Sequence, residues 1–198
     1  MKKEEIIIQD IILHAKNLMQ QYGLKKTTMT DIAKAAGKSK GTLYYYFKDK
    51  EDIFDKVIKL EIHEVFQTVK TAVDKQPDAI NMLKTYIITK IKTLREKTNL
   101  FRLVIEDDPH GHMNKKFRGL RNKYDKEERI MIKHILSKGV ANNLLTDNIL
   151  TDIDVISNLL VSCVRGIELD IIVNNRNSIL PEKADLLIEI LIDGIGKK

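Results

Sequence analysis

Little in this chain of 198 residues interrupts a helix: nine glycines and three prolines make up about 6% of it, against a usual share of roughly 12%. A turn-rich all-β design is thereby excluded, and long uninterrupted elements are favoured. Cysteine is almost absent, and the single Cys163 excludes an intrachain disulfide and a thiolate metal cluster, in keeping with a reducing compartment. No apolar run approaches the length of a membrane span. The opening Met1-Lys2-Lys3-Glu4-Glu5 lacks the apolar stretch and small-residue cleavage site of a secretory leader, so the chain is expected in the cytoplasm. With 43% hydrophobic and 31% charged residues it has the means to bury a core and is not a disordered segment.

Negative charge is scarce in one region only. Residues 1–50 hold ten lysines against five carboxylates, a net of +5, whereas residues 51–198 hold 24 basic and 23 acidic groups. Between Lys25 and Lys50 seven lysines face only Asp31 and Asp49. Such a surface suits a polyanion, although charge alone fits a plain solvated face equally well.

What is present is helical periodicity. Ile8, Ile11, Ile12, Ala15, Leu18, Met19 and Tyr22 recur at spacings of three and four and predict a helix over about 4–22, with Gly23 as its left-handed stop. Thr28 with Asp31 forms a capping-box-like start for a short helix to about Ala36, and Gly37 breaks it. Ser39 caps a second short helix, Lys40 to Phe47. Asp49 caps a long helix whose stripe runs from Ile53 to Val73, and Pro77 is placed at the first position of the next. Asn99 is placed as the cap of a short helix reaching about Asp107. Another long helix follows over about 114–142, with Asn143 as a left-handed cap, and the segment from Asp152 to Asn174 is apolar on more than one side, which predicts burial of most of its surface. Pro181 opens a last helix. The chain reads as all-α, with about nine helices.

Two short helices cross steeply only where their contact is small and their connector turns sharply, which Ala33, Ala36 and Gly37 permit. Residues 28–47 therefore form a helix-turn-helix. Its second helix is rich in Lys, Thr and Tyr, residue types that reach phosphates and base edges in a major groove. Of that helix, Leu43 and Phe47 are the core pair; Tyr44, Tyr45 and Tyr46 point about 100° apart and cannot share one role.

At these residues the sequence resembles the TetR family of bacterial transcriptional regulators. Thr-x-x-x-Ile-Ala-x-x-Ala-Gly, continued by Ser-x-Gly-Thr-Leu-Tyr-x-x-Phe-x-x-Lys, runs through residues 28–50, with Asp-Ile-Ala at 31–33. The resemblance implies a three-helix DNA-binding domain at 1–48 and a helical effector-binding and dimerisation domain at 49–198. It implies that Lys40, Thr42 and Tyr45 meet bases, that Ser39, Gly41, Tyr44, Tyr46 and Lys50 meet phosphates, and that Thr28 and Thr30 meet the flanking backbone. Position 30 often holds a longer polar residue in the family, so Thr30 reaches less far. Lys25 and Lys26 lie outside the signature and read as solvated or phosphate-contacting alike.

The implied function is a repressor, a homodimer on a palindromic double-stranded DNA operator, released by an unidentified small-molecule effector, with no cofactor. Dimerisation is implied for the two C-terminal helices, with Leu159, Ser162, Gly166, Leu187, Ile190 and Leu191 at the interface. Phe66, Tyr86, Phe101, Ile105, Phe117, Arg121, Tyr124 and Arg165 are candidates for the effector cavity, the arginines suiting an anion. Two other readings are weaker. An enzyme needs a nucleophile, base and orienter, or a metal with a catalytic acid, and only Asp107, Asp108, His110 and His112 in a Pro-Gly loop invite a metal at all; a solvated loop is the plainer reading. A regulator that binds a partner protein would differ by having a collapsed cavity. Cys163 is expected to be a small buried hydrophobe.

Overall fold

The computed structural model describes residues 3–106 and 112–174 and, beyond them, residues 186, 189 and 190, the side chains at 105–106 and 112–118 excepted. Among the described residues there are eight α-helices, one 3-10 turn and no strand. In chain order they are α1 (Lys3–Tyr22), α2 (Met29–Ala35), α3 (Lys40–Tyr46), α4 (Lys50–Asp74), α5 (Ala79–Glu96), α6 (Thr98–Glu106), α7 (His112–Ala141), the 3-10 turn (Asp147–Leu150) and α8 (Ile153–Asn174). The helix expected after Pro181 lies outside the described residues. The chain divides into two compact units, residues 1–63 with 99–118, and residues 64–98 with 119–198.

In the first unit α1 buries Ile11, Ile12, Ala15 and Met19 of the stripe its periodicity predicts, while Ile8 and Leu18 are half-buried and Tyr22, at the helix end, is exposed. Gly23 stops it at φ +84°, a conformation in which a Cβ is strained, and its amide closes on the Met19 carbonyl at 2.9 Å. Helix α2 packs on α1 and α3 on α2. The contact is made of small and branched residues, Ile32, Ala33, Ala36 and Leu43, all buried. Between α2 and α3, Gly37 takes φ +62° and the Lys38 amide reaches back to Ala33 O at 2.9 Å, which makes the sharp turn.

In the second unit one apolar core gathers the later part of α4 (Val69, Val73), α5 (Leu83, Tyr86, Ile87), α7 (Ile132, Ile135, Leu136) and α8 (Leu160, Val164, Ile171). Asn143 sits at φ 57° after α7, as its short polar side chain allows.

Several expectations need correction. Asp78, not Pro77, starts α5: its carboxylate accepts from the Asn81 amide at 2.9 Å, so Pro77 stands before the cap. Helix α6 begins at Thr98, one residue ahead of Asn99, and the Thr98 hydroxyl donates to Arg95 O at 3.0 Å, joining α6 to the end of α5. Within the single chain helix α8 is buried on one side only: Val155, Leu159, Leu169 and Val173 are exposed. Cys163 is exposed as well, since it falls on the outward side of α8 between Ser162 and Val164 and not among the inward-facing Leu160, Val164 and Ile171.

Candidate nucleic-acid interface and C-terminal site

Helix α3 is held from below and open above. Leu43 and Phe47 are fully buried, while Lys40, Gly41, Tyr44 and Tyr45 are exposed and Thr42 and Tyr46 half-buried. Tyr45 is 76% exposed, the most open large apolar side chain described. The three tyrosines thus separate as their 100° spacing requires, with Tyr46 turned aside and its ring edge-on to Tyr45 at 4.8 Å. Lys40 Nζ lies 5.9 Å from the Tyr44 ring, a cation–π contact that keeps its charge at the helix start.

The N-terminus of α3 is prepared by Ser39, whose hydroxyl accepts from the Thr42 amide at 3.0 Å and lies 2.8 Å from the Thr42 hydroxyl. The amides of Lys40 and Gly41 remain at the first turn, where the helix dipole and uncommitted N–H groups attract an anion. Gly41 exposes backbone there without a side chain to hold a phosphate away.

Helix α2 begins with a reciprocal cap. The Thr28 hydroxyl accepts from the Asp31 amide at 3.2 Å and donates to Asp31 Oδ2 at 2.6 Å, and the Thr28 amide donates to the same oxygen at 3.0 Å. These hydrogen bonds, the one from the Thr28 hydroxyl foremost, hold the Asp31 carboxyl below the usual carboxylate range. Both hydrogens that Thr28 would offer a phosphate are therefore committed to Asp31. Thr30, on the same first turn, is exposed. Of the lysines, Lys25, Lys26, Lys34, Lys40 and Lys48 are exposed, while Lys38 pairs with Asp10 of α1 at 3.1 Å.

Lys50 differs from its expected role. Its ammonium donates to the carbonyls of Leu24, Lys25 and Thr27 at 2.8, 3.2 and 3.1 Å, which leaves it no donor for a phosphate. Sequence reasoning missed this because the partners are 23 to 26 residues away.

In the second unit the structure brings Tyr86, Arg121 and Arg165 to one place, a cluster of charges on α5, α7 and α8 that is largely buried except at Arg165, which stays part-exposed. Lys90 pairs with Glu128 and lies 3.0 Å from Glu168 Oε1. Arg121 pairs with Glu168 and lies 3.7 Å from Asp125, and Arg165 reaches Asp125 at 2.9 Å. The Tyr86 hydroxyl donates to Glu128 at 3.0 Å. Lys90, Glu128, Glu168 and Asp125 are all buried. Three cations thus face three carboxylates. Burial pushes the Tyr86 phenol up and the Arg121 guanidinium down from their ordinary values. Glu168 is held by two cations, Lys90 at one oxygen and Arg121 at the other.

None of Lys90, Asp125, Glu128 or Glu168 was among the sequence candidates. The signal was there: Lys90 interrupts the buried stripe Leu83, Tyr86, Ile87, Ile91, Leu94, and Glu168 falls between Val164 and Ile171. The other candidates are dispersed. Phe66 and Tyr124 meet ring to ring at 5.4 Å. Phe101 is buried in the first compact unit, and the side chains of Ile105 and Phe117 lie outside the described residues. Phe66 also borders an open groove of about 430 Å³ with Lys70, Glu127, Ile130 and His134. No group of three metal-ligating side chains occurs among the described residues, and Asp107, Asp108, His110 and the side chain of His112 lie outside them.

On α8 the outward side presents Val155, Leu159, Ser162, Gly166, Leu169 and Val173, all exposed and recurring every three or four residues. Ile190 is exposed too, while Leu187 and Leu191 are not among the described residues. Among the described residues no helix is long and apolar enough to cross a membrane.

Comparison with known proteins follows this division. The family model for bacterial regulatory proteins of the tetR family matches residues 11–57. The HTH-type transcriptional regulator AcrR of Shigella flexneri is 33% identical over 81 residues, which cover 40% of this chain and 38% of that protein. The chain thus spans little over a third of the length of that relative. A regulator of the TetR/AcrR family from Thermobifida fusca superimposes with a TM-score of 0.67 at 20% identity, covering 94% of each chain. FadR of Bacillus subtilis, solved in complex with stearoyl-CoA, does so with a TM-score of 0.69 at 20% identity, covering 94% of this chain and 98% of that one. These two share the fold.

Proposed function

Because the chain belongs to the TetR family of bacterial regulatory proteins, we propose that it is a repressor that binds a palindromic operator as a homodimer and leaves it when a small molecule binds residues 49–198. The observation that carries this reading is α3 itself, capped by Ser39, anchored by Leu43 and Phe47, with Lys40, Gly41, Tyr44 and Tyr45 turned outward. Residues 1–48 act as the DNA-binding part, in the cytoplasm. Lys40, Thr42 and Tyr45 read bases; Ser39, Gly41, Tyr44 and Tyr46 hold phosphates. Thr28 serves as the α2 cap, and Thr30 faces the flanking backbone.

One helix-turn-helix covers half a site, so the second half calls for a second copy. The outward apolar side of α8 supports this, because six spaced positions with a small pair, Ser162 and Gly166, allow a close helix crossing about a two-fold axis. The open groove of about 430 Å³ bordered by Phe66 supports an effector site in the second unit. The arginines do not support an anionic effector, since Arg121 and Arg165 are neutralised by Glu168 and Asp125.

The test is binding of the full chain to the DNA upstream of its own gene and to a shuffled fragment, at several salt concentrations. A preference of about 10³ or more with two chains per site is expected. Lys40→Ala and Thr42→Ala are expected to change which fragment is preferred. Equal, salt-steep binding to these and to all other genomic fragments would overturn the reading.

A further inference from the structure

Lys50 is the first residue of α4, the positive end of that helix, where a cation is disfavoured. Helix α1, by contrast, ends without a basic residue in its last turn, so the negative end of its dipole is uncompensated by its own sequence. The Lys50 ammonium resolves both, because it leaves its own helix and gathers the carbonyls of Leu24, Lys25 and Thr27 just beyond the end of α1. An ammonium has three donors, and three carbonyls take them.

The segment so held is otherwise built to keep one shape. The Thr27 hydroxyl donates to Gly23 O at 2.8 Å, and Leu24 and Thr27 are both buried. The next residue, Thr28, is the cap of α2. Where Lys50 puts this segment, α2 must start. Farther along α4 a second tie fixes the same pair of helices: Lys16 of α1 pairs at 2.6 Å with Glu61, which is 5% exposed. Lys38, in the turn before α3, pairs with Asp10 of α1. Helix α1 thus holds the turn before α3 and one point of α4, while Lys50 fastens the start of α4 to the segment between α1 and α2.

We propose that Lys50 is a positioning residue for DNA binding, which sets the start of α2 from the start of α4 and does not contact a phosphate. This rests on the reading of α2 and α3 as the DNA-facing helices. A lysine that holds three carbonyls reaches a phosphate only by releasing at least one of them. The α1–α2 connection would then lose its tie at the moment α2 must be in place.

The test uses the full chain as wild type, Lys50→Met, Thr27→Val and, as a comparison at an exposed lysine free to meet a phosphate, Lys48→Ala. Each is measured on a random-sequence duplex across salt concentrations, and by hydrogen exchange of the amides at 24–31. For Lys50→Met the expected results are exchange about tenfold faster over that segment and affinity about tenfold weaker. The slope of affinity against salt should not change, whereas loss of one phosphate contact lowers it by about one. Thr27→Val removes no charge and nearly no volume, and is expected to show the same pattern more weakly, which keeps the inference testable if Lys50→Met does not fold. A slope lowered by about one with wild-type exchange would overturn it, as would faster exchange with unchanged affinity. A wild type that binds no duplex would sink the DNA reading itself, an outcome visible before any variant is compared.

Discussion

The hydroxyl of Thr28 accepts from one side and donates to the other, so a single oxygen closes the first turn of α2. Thr28→Ala is expected to cost about 1 kcal/mol, read as a lowered midpoint in thermal or denaturant unfolding. The same pair gives the acid side of stability a sign. Because the folded Asp31 carboxyl titrates below its unfolded value, its contribution is present above the unfolded pKa and lost as pH falls through the folded one. Features of this kind were legible in the sequence: Thr28 with Asp31, Ser39, Gly23, Gly37 and Asn143 each act through their own backbone or a neighbour within a turn, and all hold their predicted conformations. Lys50 was not legible, because its three carbonyls belong to a segment folded back from 23 to 26 residues away. Cys163 was misread for a related reason: apolar neighbours in sequence say nothing of which side of α8 faces inward.

Among helices, periodicity placed each described α-helix to within two residues but not the 3-10 turn at Asp147–Leu150, and the errors in the α-helices sit at caps, where competing residues such as Pro77 and Asp78 both qualify. What periodicity could not convey is that polar residues within the buried stripes of α5, α7 and α8 answer one another. Lys90 and Glu128 are 38 residues apart and meet only once the helices pack. Such a pair contributes little over a well-packed apolar substitute, since desolvating both charges offsets their attraction, but breaking it strands a charge. Lys90→Met is therefore expected to destabilise the fold by about 3–5 kcal/mol in denaturant unfolding, with buried Glu128 left without its paired cation while Glu168 keeps Arg121. Adding Glu128→Gln to it should recover part of that loss; a double variant no more stable than the single one would count against a charge-based origin.

At the level of the molecule the outward side of α8 matters most, because its apolar positions have no partner within the described chain. Leu159, 58% exposed, stands near the middle of that side. Leu159→Arg is expected to leave the thermal midpoint nearly unchanged while shifting the sedimentation behaviour from two chains to one. It should also abolish preference for a palindromic site, and a variant that stays dimeric would place the interface elsewhere. The buried charges of the second unit have a different bearing at this scale. Salt weakens a protein's hold on phosphates by competing at exposed lysines, but it scarcely reaches ions from which solvent is excluded. With Lys90, Asp125, Glu128 and Glu168 buried and the lysines of residues 25–48 mostly outside, ionic strength becomes a selective reagent. A concentrated wash should detach this protein from nucleic acid and leave its interior as it was.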